Sequence, residues 1–254
     1  MNKKSVLVTG SSRGIGRACA IAFAKAGYHV FINCRQNIAL LHSLQDEILS
    51  CGGTCTLLPG DVGDPSQVKS MFCQIEKETG GIDILVNNAG LSAKCDLLKE
   101  TLEGWEAGLR MNLTSQFLGI KTVIPYMQKN GKGSIINCSS LTALKGSMDA
   151  GAPAYCSAKA GLRALTRHVA YNFAKDNIRC NIVYPGSVYT NAVAKYGVSF
   201  EQMAASPFAT KFHPLPPYLD EADDMAYAYL YLASDEAKWI TGVDFPVDGG
   251  ANIC

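Results

Sequence analysis

The chain has 254 residues, of which 48% are hydrophobic, and a formal net charge of +1 at neutral pH. This is enough apolar material for one large core, so we expect residues 1–254 to form a single domain. The balanced charge argues against binding to nucleic acid or to an anionic membrane surface.

The first residues and the cysteines bear on the cellular compartment. The first apolar stretch is too short for the core of a signal peptide, and none approaches the ~18 residues of a membrane span. We therefore expect a cytoplasmic protein whose ten cysteines are reduced and mostly act as small buried residues. Cys51 and Cys55 lack a neighbouring His or second Cys pair in the sequence, so no metal site is predicted.

Short β-branched stretches alternate with longer stretches of helical periodicity, such as residues 14–26 and 65–79. The central short stretches are apolar at nearly every position, which is typical of parallel strands buried on both faces. The pattern predicts an α/β fold with a doubly wound parallel β-sheet and helices on both faces. The predicted strands are residues 5–9, 28–33, 54–58, 82–87, 134–138, 178–184 and 243–247.

A glycine-rich turn follows the first predicted strand and opens the first helix. Its glycines allow positive φ and a close approach to a pyrophosphate, and the helix start offers unpaired N–H groups. In this position the turn predicts a Rossmann-like dinucleotide site. Arg13 is explained equally well as a phosphate contact or as an ordinary surface residue. The predicted contacts here are Gly10, Ser12, Arg13, Gly14, Ile15 and Gly16.

The end of the second predicted strand indicates the type of cofactor. An NAD site would place an acidic residue there to hold the ribose 2′-hydroxyl. Here the residues are Asn33, Cys34, Arg35 and Gln36, without a carboxylate. A carboxylate would repel a 2′-phosphate, whereas the guanidinium of Arg35 can bind one. We therefore expect NADP, with NAD the less favoured alternative.

Tyr155 and Lys159 lie four residues apart, and Pro153 is expected to begin their helix. Their side chains should then share one helix face. An ammonium group, together with an oxidised nicotinamide, favours the phenolate and lowers the pKa of a tyrosine. Tyr155 could then exchange a proton with a carbonyl or alcohol oxygen while the cofactor moves a hydride.

Two further polar positions point to the same cleft. Ser139 and Ser140 follow a predicted parallel strand, whose carboxyl end faces the ligand crevice in such folds. Asn112 lies in an apolar helical stretch, where Asn has a poor helix propensity. That mismatch favours a functional role for Asn112.

Taken in chain order, these motifs resemble those of the short-chain dehydrogenase/reductase family over essentially the whole chain. Each motif is modest, but their order and spacing together are specific. The matching positions are Thr9 to Gly16, Asp61-Val62, Asn87 to Gly90, Asn112, Ser140, Tyr155 with Lys159, Pro185 to Thr190, Ile240 to Gly242 and Val247 to Gly250.

The resemblance implies a role for each site residue. Tyr155 would be the acid/base, Ser140 would hydrogen-bond the substrate oxygen, and Lys159 would bind the nicotinamide ribose and lower the pKa of the tyrosine. Asn112 would hold a water of the proton relay. The remaining implied cofactor contacts are Asp61 and Val62 at the adenine, Asn88, Ala89 and Gly90 along the cleft, and Pro185, Gly186, Val188 and Thr190 near the carboxamide.

Two segments bear on the substrate. Tyr155 follows Ser140 by 15 positions, a longer spacing than is usual in the family, and residues 145–152 should form one wall of the pocket. Ser139 is the alternative to Ser140 if the turn is shifted. Residues 191–220 correspond to the substrate lid and are rich in aromatic residues and proline. They suit a large apolar substrate such as a steroid, a bile acid or another cyclic ketone, or else pack the lid onto the body or a partner subunit.

Two other functions remain open. A 3-oxoacyl-thioester reductase of fatty-acid synthesis would need a basic patch at the cleft mouth for an acidic carrier protein, to which Lys129 and Lys132 could contribute. A non-catalytic dinucleotide-binding regulator could use the same fold, but it would not need Tyr155 beside Lys159. The resemblance also implies a homotetramer or homodimer, with helices near residues 105–126 and 154–173 as candidate interfaces.

Overall fold

The computed structural model describes residues 3–92, 95–146, 152–190 and 197–254. Seven parallel strands form the main sheet, and each overlaps one of the predicted strands. They are β1 (Ser5–Val8), β2 (His29–Ile32), β3 (Thr54–Leu57), β4 (Ile84–Asn87), β5 (Gly133–Cys138), β6 (Ile178–Pro185) and β9 (Asp244–Val247).

Helices cover both faces of the sheet. They are α1 (Gly14–Lys25), α2 (Ile38–Ser50), α3 (Pro65–Thr79), α4 (Leu102–Leu109), α5 (Ser115–Asn130), α6 (Thr142–Lys145), α7 (Pro153–Phe173), α8 (Phe200–Ala204), α9 (Pro207–Phe212) and α10 (Ala222–Ala233). A π-helical turn joins α4 to α5. Helix α7 begins at Pro153, as predicted. In the described part of the chain, none of the helices combines the length and apolarity that a bilayer crossing requires.

Alternating strand residues build two cores. In β1, Val6 and Val8 pack into the cluster formed with α1, α2 and α10, whereas Leu7 packs into the cluster formed with α3, α5 and α7. This follows from the period of two along a strand, which sends successive side chains to opposite faces. The predicted doubly wound α/β fold is confirmed.

The strand order places a crevice between β1 and β4. The order is β3-β2-β1-β4-β5-β6-β9, so the chain moves outward from β1 to β3 and then returns to the other side of β1. Connections after β1 and β4 therefore diverge to opposite sides, and a crevice opens outside their carboxyl ends. The sequence pattern predicted the strands but not this order.

A second, two-stranded sheet was not predicted. Its strands are β7 (Val188–Tyr189) and β8 (Asp220–Glu221), which pair in parallel. Each is only 2 residues long, too short to show a hydrophobic period. The pair links the turn after β6 to the start of α10, and so joins the two ends of the segment predicted to be a lid.

Candidate active site

A cleft of about 680 Å³ lies at the carboxyl edge of the main sheet. Every residue predicted to contact the cofactor lines it, and so does Ser140. Asn112 lies fully buried behind the wall. This volume lies within the range of pockets that bind small molecules and cofactors.

The glycine turn brings the start of α1 to the cleft. Gly10 and Gly14 adopt φ of 65° and 56°, in the region that favours glycine. A Cβ on Gly10 would lie 2.9 Å from the Cα of Ala89, and one on Gly14 would lie 3.3 Å from the Cγ2 of Thr190. The glycines therefore let the helix start approach the opposite wall, as a pyrophosphate site requires.

Asn33, which the sequence analysis did not assign, holds the glycine turn in place. It directly follows β2 and is almost completely buried. Its Oδ1 accepts from the Gly10 N–H at 3.2 Å, and its Nδ2 donates to the carbonyls of Leu58 and Gly60 at 2.8 and 3.1 Å. One side chain thus ties the turn after β1 to the segment after β3. A polar residue ending a buried strand was the available signal.

Arg35 lies at the edge of the cleft beside Asp61. Its Nη1 is 3.6 Å from the Asp61 Oδ2, and the guanidinium side chain remains 46% exposed. Arg35, predicted to bind a 2′-phosphate, and Asp61, predicted to contact the adenine, therefore lie side by side. Arg13 also lines this cleft.

The serine next to Tyr155 is Ser140. The Ser140 hydroxyl lies where it favours the ionised form of the Tyr155 phenol, and the Ser140 Oγ accepts from the Thr142 hydroxyl at 3.0 Å. Ser139 instead is buried and donates from its hydroxyl to the Lys159 carbonyl at 3.0 Å. In the structure, Ser140 and not Ser139 is therefore the serine whose hydroxyl interacts with the Tyr155 phenol.

The ionisation of Tyr155 differs from the expectation. Burial raises the pKa of its phenol to about 12, and the hydrogen bond from Ser140 only partly opposes this. The expected lowering by Lys159 is not seen in the protein alone. The Lys159 Nζ lies 5.7 Å from the ring centroid, and burial lowers the pKa of the amine itself. Without a bound cofactor, the phenol stays protonated at neutral pH.

Lys159 is anchored to the strand that precedes the serines. Its Nζ donates to the Cys138 carbonyl at 2.6 Å. A Cβ on Gly90 would lie 3.2 Å from this Nζ and 2.8 Å from the Asn112 Oδ1. Even a methyl group would not fit at Gly90, so the absence of a side chain lets the backbone of the cleft wall lie directly against the lysine and the asparagine.

Asn112 lies in the π-helical turn Arg110–Thr114. Its side chain accepts from the Leu91 N–H at 3.0 Å and donates to the Leu91 carbonyl at 2.9 Å. Such π-bulges occur frequently at functional sites. The poor helix propensity of Asn112 thus coincides with a break in regular α-helix and with a cross-link to the cleft wall.

Gln116 was also missed by the sequence analysis. Its Nε2 donates to the Cys138 carbonyl at 3.3 Å and to the Asn112 carbonyl at 3.4 Å. It therefore links the carbonyl that receives Lys159 to the π-helical turn. Its buried Oε1 has no hydrogen-bond partner among the described residues, and such an acceptor is costly.

The predicted substrate walls are only partly described. Residues 147–151 and 191–196 lie outside the described residues. Of the described residues after position 196, none lines the cleft. Phe208 and Phe212 contact each other, with ring centroids 4.9 Å apart, and Tyr189 contacts Phe200 edge-on at 5.8 Å.

The two lysines suggested for a carrier-protein patch are not at the cleft mouth. Lys132 lines a second cavity at the amino ends of β4 and β5, the opposite edge of the sheet. Lys129 forms a salt bridge with Glu76 at 3.1 Å. That expectation was wrong, because β5 begins just after these residues and its carboxyl end faces the cleft.

The fold and the cleft define a dinucleotide-binding protein, and comparisons with known proteins give the family. A family model described as enoyl-(acyl carrier protein) reductase matches residues 10–252. The chain is 35% identical over 252 residues to the 2,5-dichloro-2,5-cyclohexadiene-1,4-diol dehydrogenase LinX of Sphingobium indicum, covering 98% of this chain and 96% of that protein. It is 36% identical over 245 residues to a 3-oxoacyl-[acyl-carrier-protein] reductase of Synechocystis sp., covering 96% and 95%.

A solved structure from Burkholderia xenovorans, assigned to the short-chain dehydrogenases/reductases, has a TM-score of 0.91 and 33% identity, covering 99% of this chain and 97% of that one. The chain belongs to the short-chain dehydrogenase/reductase family. It is an NAD(P)-dependent oxidoreductase that transfers a hydride between a nicotinamide cofactor and an alcohol or ketone.

Proposed function

We propose that the protein is a cytoplasmic, NADP(H)-preferring enzyme that interconverts an apolar cyclic ketone and its secondary alcohol. The observation that carries the cofactor preference is the position of Arg35 at the cleft end of β2, where the sequence has no carboxylate to hold a ribose 2′-hydroxyl. A planar guanidinium with several donors suits a 2′-phosphate. The positive charge of Arg35 would also screen the phosphate from the neighbouring Asp61 carboxylate.

The reaction is assigned to the residues around Tyr155. When bound, a nicotinamide cofactor supplies or accepts the hydride. Tyr155 gives a proton to the carbonyl oxygen in reduction and removes it from the alcohol in oxidation, while the Ser140 hydroxyl hydrogen-bonds the same oxygen. Lys159 would hold the nicotinamide ribose, and a water held by Asn112 would return a solvent proton to Tyr155 in reduction and carry it away in oxidation. The position of Ser140 beside Tyr155 in the same cleft supports this arrangement, because both hydroxyls can then reach one substrate oxygen.

The remaining cofactor contacts are proposed along the same cleft. The glycine turn would hold the pyrophosphate and Asp61 with Val62 the adenine. Gly90 would let the cleft wall lie close to Lys159 and the ribose, and residues 185–190 would face the carboxamide. The close approach of Gly10 and Gly14 to the opposite wall supports this assignment.

An apolar cyclic substrate is supported by two observations. Leu91 and Met111 line the cleft on the side of Tyr155. The relative from Sphingobium is named for a dehydrogenase of a cyclohexadiene diol. The test is a panel of steroid ketones, monocyclic ketones and small polar ketones, each with NADPH and with NADH. Turnover of small polar ketones alone, or faster turnover with NADH, would contradict the proposal.

A 3-oxoacyl-thioester reductase is the second candidate, favoured by the name of the Synechocystis relative. The positions of Lys129 and Lys132 away from the cleft mouth count against it. Acetoacetyl thioester belongs in the same panel, and faster turnover of this thioester than of any cyclic ketone would reverse the order of the two candidates.

We also propose a homotetramer or homodimer built on helices α5 and α7. Phe117 on α5 is 43% exposed and Tyr171 on α7 is 86% exposed, as helix faces that meet a second subunit often are. Analytical ultracentrifugation tests this, and a monomer at micromolar concentration would contradict it.

A further inference from the structure

A buried histidine joins the predicted lid to the wall of the cleft. His213 directly follows α9 and is 3% exposed. It lies outside the residues assigned to the reaction, and it does not line the cleft. Its two ring nitrogens nevertheless both have partners, which is unusual for a residue that only fills space.

The partners specify one state of the ring. The His213 Nδ1 lies 3.1 Å from the Ala209 carbonyl, which can only accept. The Ser187 N–H, which can only donate, points to the Nε2 at 3.3 Å. Nδ1 must therefore carry the proton and Nε2 must be the acceptor. The two contacts hold the ring in one orientation.

Ser187 lies in the turn at residues 185–190, hereafter the 185–190 turn. The Ser187 carbonyl accepts from the Asp220 N–H at 3.0 Å, and β7 and β8 continue this pairing. The Gly186 N–H donates to the Val247 carbonyl at 2.9 Å. Backbone groups of Asp220 and Val247 thus hold this turn, and the side chain of His213 adds a further hydrogen bond to it.

The residues on either side of Ser187 form the cleft wall. Gly186 and Val188 both line the cleft, whereas Ser187 faces the lid through its N–H. A rotation of the Ser187 peptide would move both neighbours. The lid segment is fixed independently by a bond from the Leu215 N–H to the Gly249 carbonyl at 3.0 Å. His213 therefore connects two parts of the chain that are each anchored elsewhere.

We propose that His213 is a positioning residue that holds the 185–190 turn in the conformation that binds the nicotinamide end of the cofactor. It acts through the Ser187 N–H and does not touch the reacting atoms. This inference rests on the proposed function, because it takes the 185–190 turn to face the carboxamide. It adds a residue from the lid segment to the determinants of cofactor and substrate affinity.

Two amide substitutions separate the two ring contacts. In His213→Gln, the amide oxygen can reach the position of Nε2 and accept from the Ser187 N–H. In His213→Asn, the shorter side chain can donate to the Ala209 carbonyl but does not reach Ser187. We expect His213→Asn to weaken NADPH binding and raise the substrate KM by about three- to ten-fold, as for the loss of one hydrogen bond, with a smaller change in kcat. His213→Gln should restore both.

The contact itself is measured by hydrogen exchange of the peptide that contains Ser187. We expect faster exchange in His213→Asn than in the unmodified protein and in His213→Gln. Cofactor affinity is read from NADPH fluorescence, and all proteins are compared well below their melting temperatures. Equal exchange in all three proteins, or faster exchange with unchanged NADPH affinity and KM, would overturn the proposal. If the unmodified protein bound no nicotinamide cofactor, the proposed function would fail instead, and the role given to His213 in cofactor binding would fail with it, whatever the exchange rates.

Discussion

The ammonium of Lys159 is tied to the backbone carbonyl of Cys138 by a 2.6 Å hydrogen bond. Cys138 ends β5 and immediately precedes Ser139 and Ser140. The bond therefore fixes α7, which carries Lys159 and Tyr155, to the strand that leads into Ser140. All three side chains of the proposed site are thus held on two elements that are bonded to each other. A buried charge of this kind is stable only with such partners.

Replacing Lys159 should remove the function and leave the fold. Lys159→Met keeps the length of the side chain and loses the ammonium, while the Cys138 carbonyl retains its bond from Gln116. We expect kcat to fall by about 10²-fold, at the lower end of the effects of proton-transfer groups. The exposed Lys175, near the end of the same helix, gives the control Lys175→Met. A loss of activity in both variants, or in neither, would contradict the assignment.

The raised pKa of Tyr155 predicts how its ionisation and the reaction rates depend on pH. Because burial raises it to about 12, the phenol of the cofactor-free protein should still be protonated near pH 10, where an ordinary tyrosine is half ionised. The ultraviolet difference between the unmodified protein and Tyr155→Phe should therefore show no phenolate at that pH. In catalysis, alcohol oxidation requires the deprotonated form and should speed up as the pH rises, whereas ketone reduction should not. A Tyr155 phenolate signal in the cofactor-free protein near pH 10 would contradict this.

Arg35 should set the preference between the two nicotinamide cofactors. Arg35→Ala removes the charge that would bind a 2′-phosphate, and the loss of a charged hydrogen bond costs about 1.5–3 kcal/mol. We expect the Kd for NADPH to rise about ten- to one-hundred-fold while the Kd for NADH stays within about two-fold. Arg17, which forms a salt bridge with Glu47 at 2.6 Å, gives the control Arg17→Ala. Equal losses for both cofactors would show that Arg35 does not recognise the phosphate.

The close approach of Gly90 to Asn112 and Lys159 can be tested by adding one methyl group. In Gly90→Ala the added Cβ would meet the Asn112 Oδ1 at 2.8 Å and the Lys159 Nζ at 3.2 Å, and buried groups cannot easily move away. We expect cofactor affinity and activity to fall at least about ten-fold. Gly161→Ala, whose Cβ would meet a leucine methyl at 3.2 Å, is the control and should remain active. Full activity of Gly90→Ala would mean that this close approach is not needed.

The sequence predicted the features that depend on local patterns. All seven strands of the main sheet follow from apolar stretches, and the helix of Tyr155 begins at the predicted proline. The contacts of Asn33, Gln116 and His213 could not be predicted, because their partners lie on other elements. For example, the His213 ring meets Ser187, which is 26 residues away in the chain. Nothing in the hydrophobic period indicates such a contact.

The expected lowering of the Tyr155 pKa is not present in the protein alone, for a related reason. The spacing of Tyr155 and Lys159 correctly implied one helix face, but it carried no information about depth. Burial is the largest influence on the pKa of the phenol, and burial is a property of the packed fold. The phenol's acidity therefore depends on what enters the cleft.

Three buried polar side chains form a hydrogen-bonded chain behind the site. The Asn137 Nδ2 donates to the Thr166 hydroxyl at 2.9 Å, and the Asn87 Nδ2 donates to the Asn137 Oδ1 at 3.0 Å. Thr166→Val keeps the shape of the side chain and leaves a buried donor of Asn137 without this acceptor, which typically costs about 1–3 kcal/mol. We expect this loss in the free energy of unfolding, measured in urea. Thr122→Val, at a partly exposed position of α5, should change it by less than about 0.5 kcal/mol. Equal stability of the two variants would show that the Asn137–Thr166 bond contributes little to the fold.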